Sequence, residues 1–185
     1  MFGYATNAVV SVLLHFSAAE RIQTFLIWTF GSFVGVTWDQ LSILAPIVLL
    51  GLGLAFASVK PLNALLLGEA YARSMGLAVG RTRLLLIAAT SLLAGSVTAF
   101  CGPIVFVGVA VPHICRALFR TSDHRVLLPL SCLMGALLAE LADLIAQLPG
   151  HQTTLPLNSV TALLGAPVIV WIILSRTNLK SSFAS

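Results

Sequence analysis

Charge is what this sequence has least of. Of its 185 residues only 9% are Asp, Glu, Lys or Arg, where a soluble domain carries about 25%, and so few cannot cover a water-facing surface. A soluble enzyme is therefore nearly excluded, and so is extended disorder, which pairs low hydrophobicity with high charge. Cysteine is scarce as well. Cys101, Cys115 and Cys132 are odd in number, lack CxxC spacing and sit in apolar stretches, so they are expected as small buried residues, not as a disulfide framework or a metal site. GxSxG, HExxH and a P-loop are all missing, so the sequence offers neither a hydrolase signature nor nucleotide hydrolysis of its own. No cofactor and no metal is expected. The basic excess, ten Lys/Arg against six Asp/Glu, has to be read by position along the chain and does not point to nucleic acid.

What the chain has is apolar length: 58% of its residues are hydrophobic. Charge breaks and turn residues divide it into Met1–Phe16, Leu41–Val59, Leu84–Phe100, Ile104–Phe119, Val126–Leu148 and Ser159–Ser175. Each approaches the roughly 17–25 residues a membrane helix needs. The expected fold is all-α: a polytopic helical membrane protein of about six spans, plus a short interfacial helix and a short cytoplasmic helix. The interfacial helix is assigned to Glu20–Val34, whose aromatics and flanking charges suit the membrane surface better than a seventh span. Met1–Phe16 imitates a signal-peptide core but has no basic n-region, so cleavage is not expected.

Lys60, Arg73, Arg81, Arg83, Arg116, Arg120, Arg125, Arg176 and Lys180 fall in one set of connections and the tail, and Arg21 alone in the other. Nine against one predicts cytoplasmic termini and two cytoplasmic basic loops, with Cys101–Pro103 and Pro149–Asn158 facing outward. Within the longest basic loop, Asn63 to Leu77 reads as one amphipathic helix with Asn63 as its cap and Gly76 as its stop. Such a helix suits either the lipid surface or a cytoplasmic partner. Small residues at spacing four, Ser91, Gly95 and Ala99 on one span and Gly135 and Ala139 on another, are expected to pack against neighbouring helices.

Two carboxylates, Glu140 and Asp143, stand three apart within a span, where ionisable groups are candidates for cation binding or proton relay by default. Capping of or hydrogen bonding to a neighbouring helix end, or a place in a water-filled vestibule, is the structural alternative. His113 is expected as a packed histidine. At the helical rise its depth differs from that of the two carboxylates by about 10 Å or more, so no acid–base site is expected among the three.

Several strings then resemble one family. They are Gly68-Glu69-Ala70-Tyr71-Ala72-Arg73-Ser74-Met75-Gly76-Leu77, Gly102-Pro103-Ile104-Val105-Phe106-Val107-Gly108, Val111-Pro112-His113-Ile114-Cys115-Arg116, Asp123-His124-Arg125-Val126-Leu127-Leu128-Pro129, Ala142-Asp143 and Leu155-Pro156-Leu157-Asn158-Ser159-Val160-Thr161-Ala162-Leu163-Leu164-Gly165-Ala166-Pro167. In order and spacing they resemble the FecCD-type permeases, the membrane subunits of ABC importers for iron siderophores, haem and cobalamin. The resemblance covers nearly the whole chain and implies one permease domain over residues 1–185, similar to the last six of ten family spans. It implies a place in the bacterial inner membrane. It also implies ATP-binding cassette ATPase subunits, an extracytoplasmic substrate-binding protein, a second permease copy and membrane lipid as partners, with a truncated, non-transporting remnant or scaffold as the alternative. By the same resemblance, Gly68, Glu69, Ala72, Arg73 and Gly76 belong to the segment that couples to the ATPase, with Ala70, Ala72 and Gly76 allowing close approach. Thr98, Cys101, Gly102 and Pro103 resemble a loop bordering the translocation path. No family role is carried onto Glu140. At Gln147 the sequence departs from the family, where an arginine that meets the binding protein is usual.

Overall fold

The computed structural model describes residues 2–147, 155–163 and 165–167. In chain order its helices are α1 (Phe2–His15), α2 (Ala19–Phe30), α3 (Trp38–Ala57), α4 (Val59–Leu65), α5 (Glu69–Ser74), α6 (Val79–Cys101), α7 (Phe106–Phe119) and α8 (His124–Ala146). A further stretch, α9, is helical over 157–163 and 165–167. The fold is an all-α polytopic membrane architecture. Three helices, α3, α6 and α8, are long and apolar enough to cross a membrane, and only 11%, 11% and 6% of their most apolar windows are buried inside the chain. A water-soluble bundle would bury those faces; here they point away from the chain, toward lipid or further helices. α1 and α7, with 14 residues each, fall short of a full span by length. Pro149, Arg176, Lys180 and the end of the expected last span lie outside the described residues.

Local chemistry explains the boundaries. α3 starts three residues before its expected first residue because Thr37 and Gln40 form a capping box: the Thr37 hydroxyl accepts from the Gln40 N–H and the Gln40 carbonyl oxygen accepts from the Thr37 N–H. α8 starts at His124 because the Asp123 carboxylate accepts from the Arg125 N–H at 2.9 Å. α7 ends on Arg120, a non-glycine residue in left-handed conformation at φ 49°. α6 begins five residues earlier than expected and takes Arg81 and Arg83 into its first turns.

The expected single helix from Asn63 to Leu77 is two helices. Gly68 adopts φ 100° between α4 and α5, a conformation that ends a helix. Asn63 lies inside α4 and is not a cap. Gly76 does stop α5 in the left-handed region, at φ 84°.

Packing joins α3 to α6, α7 to α8, and α4 to both α5 and α8. The α7–α8 seam is Val111, Cys115 and Leu127, surrounded by Val107, Leu130, Met134 and Leu138. Gly135 approaches Val111 across it, with 4.0 Å between an ideal Cβ and the valine methyl, so that glycine packs as expected. Among the described residues the other stripe does not pack in this way. Ser91, Gly95 and Ala99 are exposed, and no heavy atom comes within 4 Å of a Cβ placed on Gly95. The close approach between α3 and α6 is made instead by the buried Gly51, where a Cβ would stand 2.7 Å from Leu93 Cγ and Cδ2. Gly51→Ala should therefore cost about 1–3 kcal/mol, the usual penalty for overpacking. The obstacle is a side chain and not backbone, so adding Leu93→Ala should recover part of the loss. Thermal midpoints of the single and double variants in detergent measure the coupling; additive losses would show that the two residues do not meet.

Cys101 and Cys115 are buried as expected, but Cys132 is exposed. His113 also lies on an exposed face of α7 and is not packed in a core, because the turn of α7 that faces α8 is occupied by Val111 and Cys115.

Candidate functional site

Two hydrogen-bonded knots hold opposite ends of α8. The first gathers the basic connections. Asn63 Nδ2 on α4 donates to Asp123 Oδ1 at 2.5 Å, and Asn63 Oδ1 accepts from the His124 N–H and faces His124 Nδ1, each at 2.8 Å. The Arg125 N–H, and after it the Asn63 amide, hold the Asp123 carboxyl below the ordinary carboxylate range. The connection carrying Lys60, Arg73, Arg81 and Arg83 and the one flanked by Arg116, Arg120 and Arg125 thus sit at the same end of the molecule.

α5 projects from this end. Glu69 pairs with Arg73 one turn along, at 3.8 Å, and more closely with Arg83 on α6, at 2.5 Å. All three side chains are more than half exposed, so each pair contributes little. Their effect is to orient α5 against the start of α6. Gly68, Glu69, Arg73 and Gly76 are exposed, but Ala72 is completely buried. A six-residue helix turns one side inward, and Ala72 is on it. The outward side carries Tyr71 and Met75, 54% and 52% exposed, which the sequence reading did not single out although the four-residue spacing of two large apolar residues was visible.

The second knot ties the other end. Gly31 and Gly102, with φ 72° and 79°, cross where α2 and α6 finish. The Ser32 N–H donates to the Cys101 carbonyl at 2.9 Å, and Trp28 Nε1 donates to the Ala99 carbonyl at 3.4 Å. Asn158 joins three segments: its Nδ2 donates to the Thr29 and Pro103 carbonyls, and its Oδ1 accepts from the Val105 N–H. Beneath it Ala142 and Ala146 of α8 pack with Leu157 and Val160, with Phe33, Ile104 and Ile145 around them. Thr98 and Pro103 are half-buried here, and Cys101 and Gly102 are buried. The four residues expected along a path are therefore brought together, with the two middle ones inside the knot. Asn158 was part of a quoted string, but its role as a three-way tie depends on segments 53 and 129 residues away.

The two carboxylates separate in role. Asp143 is half-buried and accepts from the Gln147 side chain one turn on, within its own helix, while Glu140 is exposed. Gln147, where the sequence departs from the resembled pattern, closes the end of α8 this way. Among the described residues no three His, Cys, Asp or Glu side chains gather to hold a metal ion. The arrangement offers no reacting centre among these groups; it offers an exposed knob at a basic end, a tied crossing at the other, and a long helix between them.

The vitamin B12 import system permease protein BtuC of Citrobacter koseri is 38% identical over 172 residues, which is 93% of this chain and 52% of that protein. The BtuC proteins of Salmonella typhimurium and Salmonella typhi match to the same extent. This chain spans about half the length of these relatives, which are named as permeases and not as enzymes. Residues 1–175, which include both knots and all the long helices, match the FecCD transport family, and the chain belongs to that family.

Proposed function

We propose that this chain is the permease component of an ABC importer for cobalamin, working as one transmembrane permease domain together with the remaining length its relatives possess. The observation that carries this reading is the 38% identity to vitamin B12 import permeases across 93% of the chain. Separate ATP-binding cassette subunits drive it by docking on α5, a second permease copy completes the path, and an extracytoplasmic binding protein delivers the substrate. Iron siderophores and haem are carried by similar proteins and are the competing cargoes. The protein lies in the bacterial inner membrane with its termini and basic knot in the cytoplasm, a sidedness supported by the clustering of both basic connections at one end.

Uptake decides the cargo. In a strain lacking its own permease, the completed assembly should accumulate labelled cobalamin and leave ferric siderophore and haem outside; uptake of a chelate alone would replace cobalamin, and uptake of none would favour a non-transporting scaffold. The docking surface has its own check. Replacing both Tyr71 and Met75 by alanine removes two exposed anchors from α5 and should leave insertion unchanged. A loss of about 3 kcal/mol at an interface weakens association roughly a hundredfold, so co-purified ATPase should fall to background. Wild-type recovery of ATPase with the double variant would remove α5 from the interface.

A further inference from the structure

Asn63 is placed unusually for a residue in the middle of a seven-residue helix. Its carboxamide uses both ends, the Nδ2 on the Asp123 carboxylate and the Oδ1 on the backbone and ring nitrogens of His124. The first N–H groups of any α-helix have no partner within that helix. In α8 the Arg125 N–H is satisfied by Asp123, but the His124 N–H is satisfied from α4. The start of α8 is thus capped jointly by its own N-cap and by a residue 61 positions away, and α4 cannot leave α8 without uncapping it. α4 runs into α5 through Gly68, so the latch stands between the exposed knob and the long rod of α8, which equals α6 in length. That rod is 23 residues, about 34 Å at the helical rise, and its far end packs through Ala142 and Ala146 on Leu157 and Val160, next to the Asn158 tie.

We infer that Asn63 is a positioning residue that latches α4 to α8, so that displacement of the α4–α5 knob moves α8 as a unit and reaches the crossing of Gly31, Gly102 and Asn158. The inference rests on the importer reading for its purpose, but the latch has a physical signature of its own. Only a side chain with a donor and an acceptor on one carbon meets this pair of partners. Alanine leaves all three contacts unmade, and Asn63→Asp sets a carboxylate against that of Asp123. Asp123→Asn keeps an oxygen for Arg125 and Asn63, and His124→Asn supplies Nδ2 where Nδ1 stood, so both should preserve the latch.

Hydrogen exchange on the full chain in detergent, wild type against N63A, N63D, D123N and H124N, reads the latch directly. N63A and N63D should lose protection over residues 121–130 and also over residues 155–163 at the far end, while D123N and H124N stay at wild type. Loss confined to 121–130, or equal loss in all four variants, would overturn the transmission. In proteoliposomes holding the completed importer, N63A should hydrolyse ATP near the wild-type rate yet move about tenfold less cobalamin per ATP, the scale of a typical coupling between sites. An unchanged ratio would also overturn the proposal. If the wild-type assembly transports nothing, the importer reading falls, and the exchange pattern still decides whether the latch transmits.

Discussion

Gly102→Ala will leave little or no folded protein in the membrane. A Cβ at this position would stand 2.2 Å from the Trp28 carbonyl oxygen and 3.0 Å from Gly31 Cα, and both obstacles are backbone. Neither can rotate away. The Trp28 carbonyl accepts the Gly31 N–H, and the neighbouring strands of chain are held by Ser32 on Cys101 and by Asn158 on Thr29 and Pro103. The glycine also sits at φ 79° and ψ 173°, a combination that costs other residues about 1–3 kcal/mol. Overpacking adds about 1–3 kcal/mol, and the sum is a large part of the 5–15 kcal/mol that holds a typical domain together. Gly31→Ala should be milder, since its φ of 72° is strained but its nearest neighbour would be 3.5 Å away. Gly95→Ala should be neutral or stabilising by up to about 1 kcal/mol, being helical and open. Accumulation of monodisperse protein and its thermal midpoint in detergent check the order. Gly102→Ala behaving like Gly95→Ala would mean that the crossing is not packed as described.

Ala72→Glu will destabilise the protein itself before any partner is involved. Ala72 is fully buried on a helix that packs on α4 and α6, and among the described residues no basic side chain is buried. A buried charge without a partner costs about 3–5 kcal/mol, so the variant should be cleared or should unfold at markedly lower temperature. Ala70→Glu, two residues earlier and exposed, should stay within about 0.5 kcal/mol of wild type. The contrast separates folding from docking: reduced ATPase recovery with Ala72→Glu says nothing about the interface, whereas the same loss with Tyr71 and Met75 replaced does. Equal stability of the Ala70 and Ala72 variants would place Ala72 on the surface.

These two residues also show where sequence reasoning reaches and where it stops. Gly102 and Ala72 were both singled out through the strings that resemble the FecCD permeases, as residues of a path-bordering loop and of a coupling segment. Their burial was not. Which side of a six-residue helix faces inward depends on how α4, α5 and α6 stack, and one turn of helix carries too little pattern to tell.

The sequence by itself determined that the chain is helical and made for a membrane, where its long apolar helices run, and which connections carry the positive charge. Those properties are local: a lipid-spanning helix must be apolar over consecutive residues, and Thr37, Gln40 and Asp123 cap from next door. Only the tertiary structure decided that, among the described residues, Gly51 and not Gly95 brings helices together, that Gly68 splits the expected Asn63–Leu77 helix in two, and that Asn63 and Asn158 each tie segments more than 50 residues apart. In an apolar chain small residues are common on every face, so spacing alone cannot say which face meets its own neighbours. A polar side chain reveals its purpose only when its partners, distant along the chain, are brought within hydrogen-bond reach.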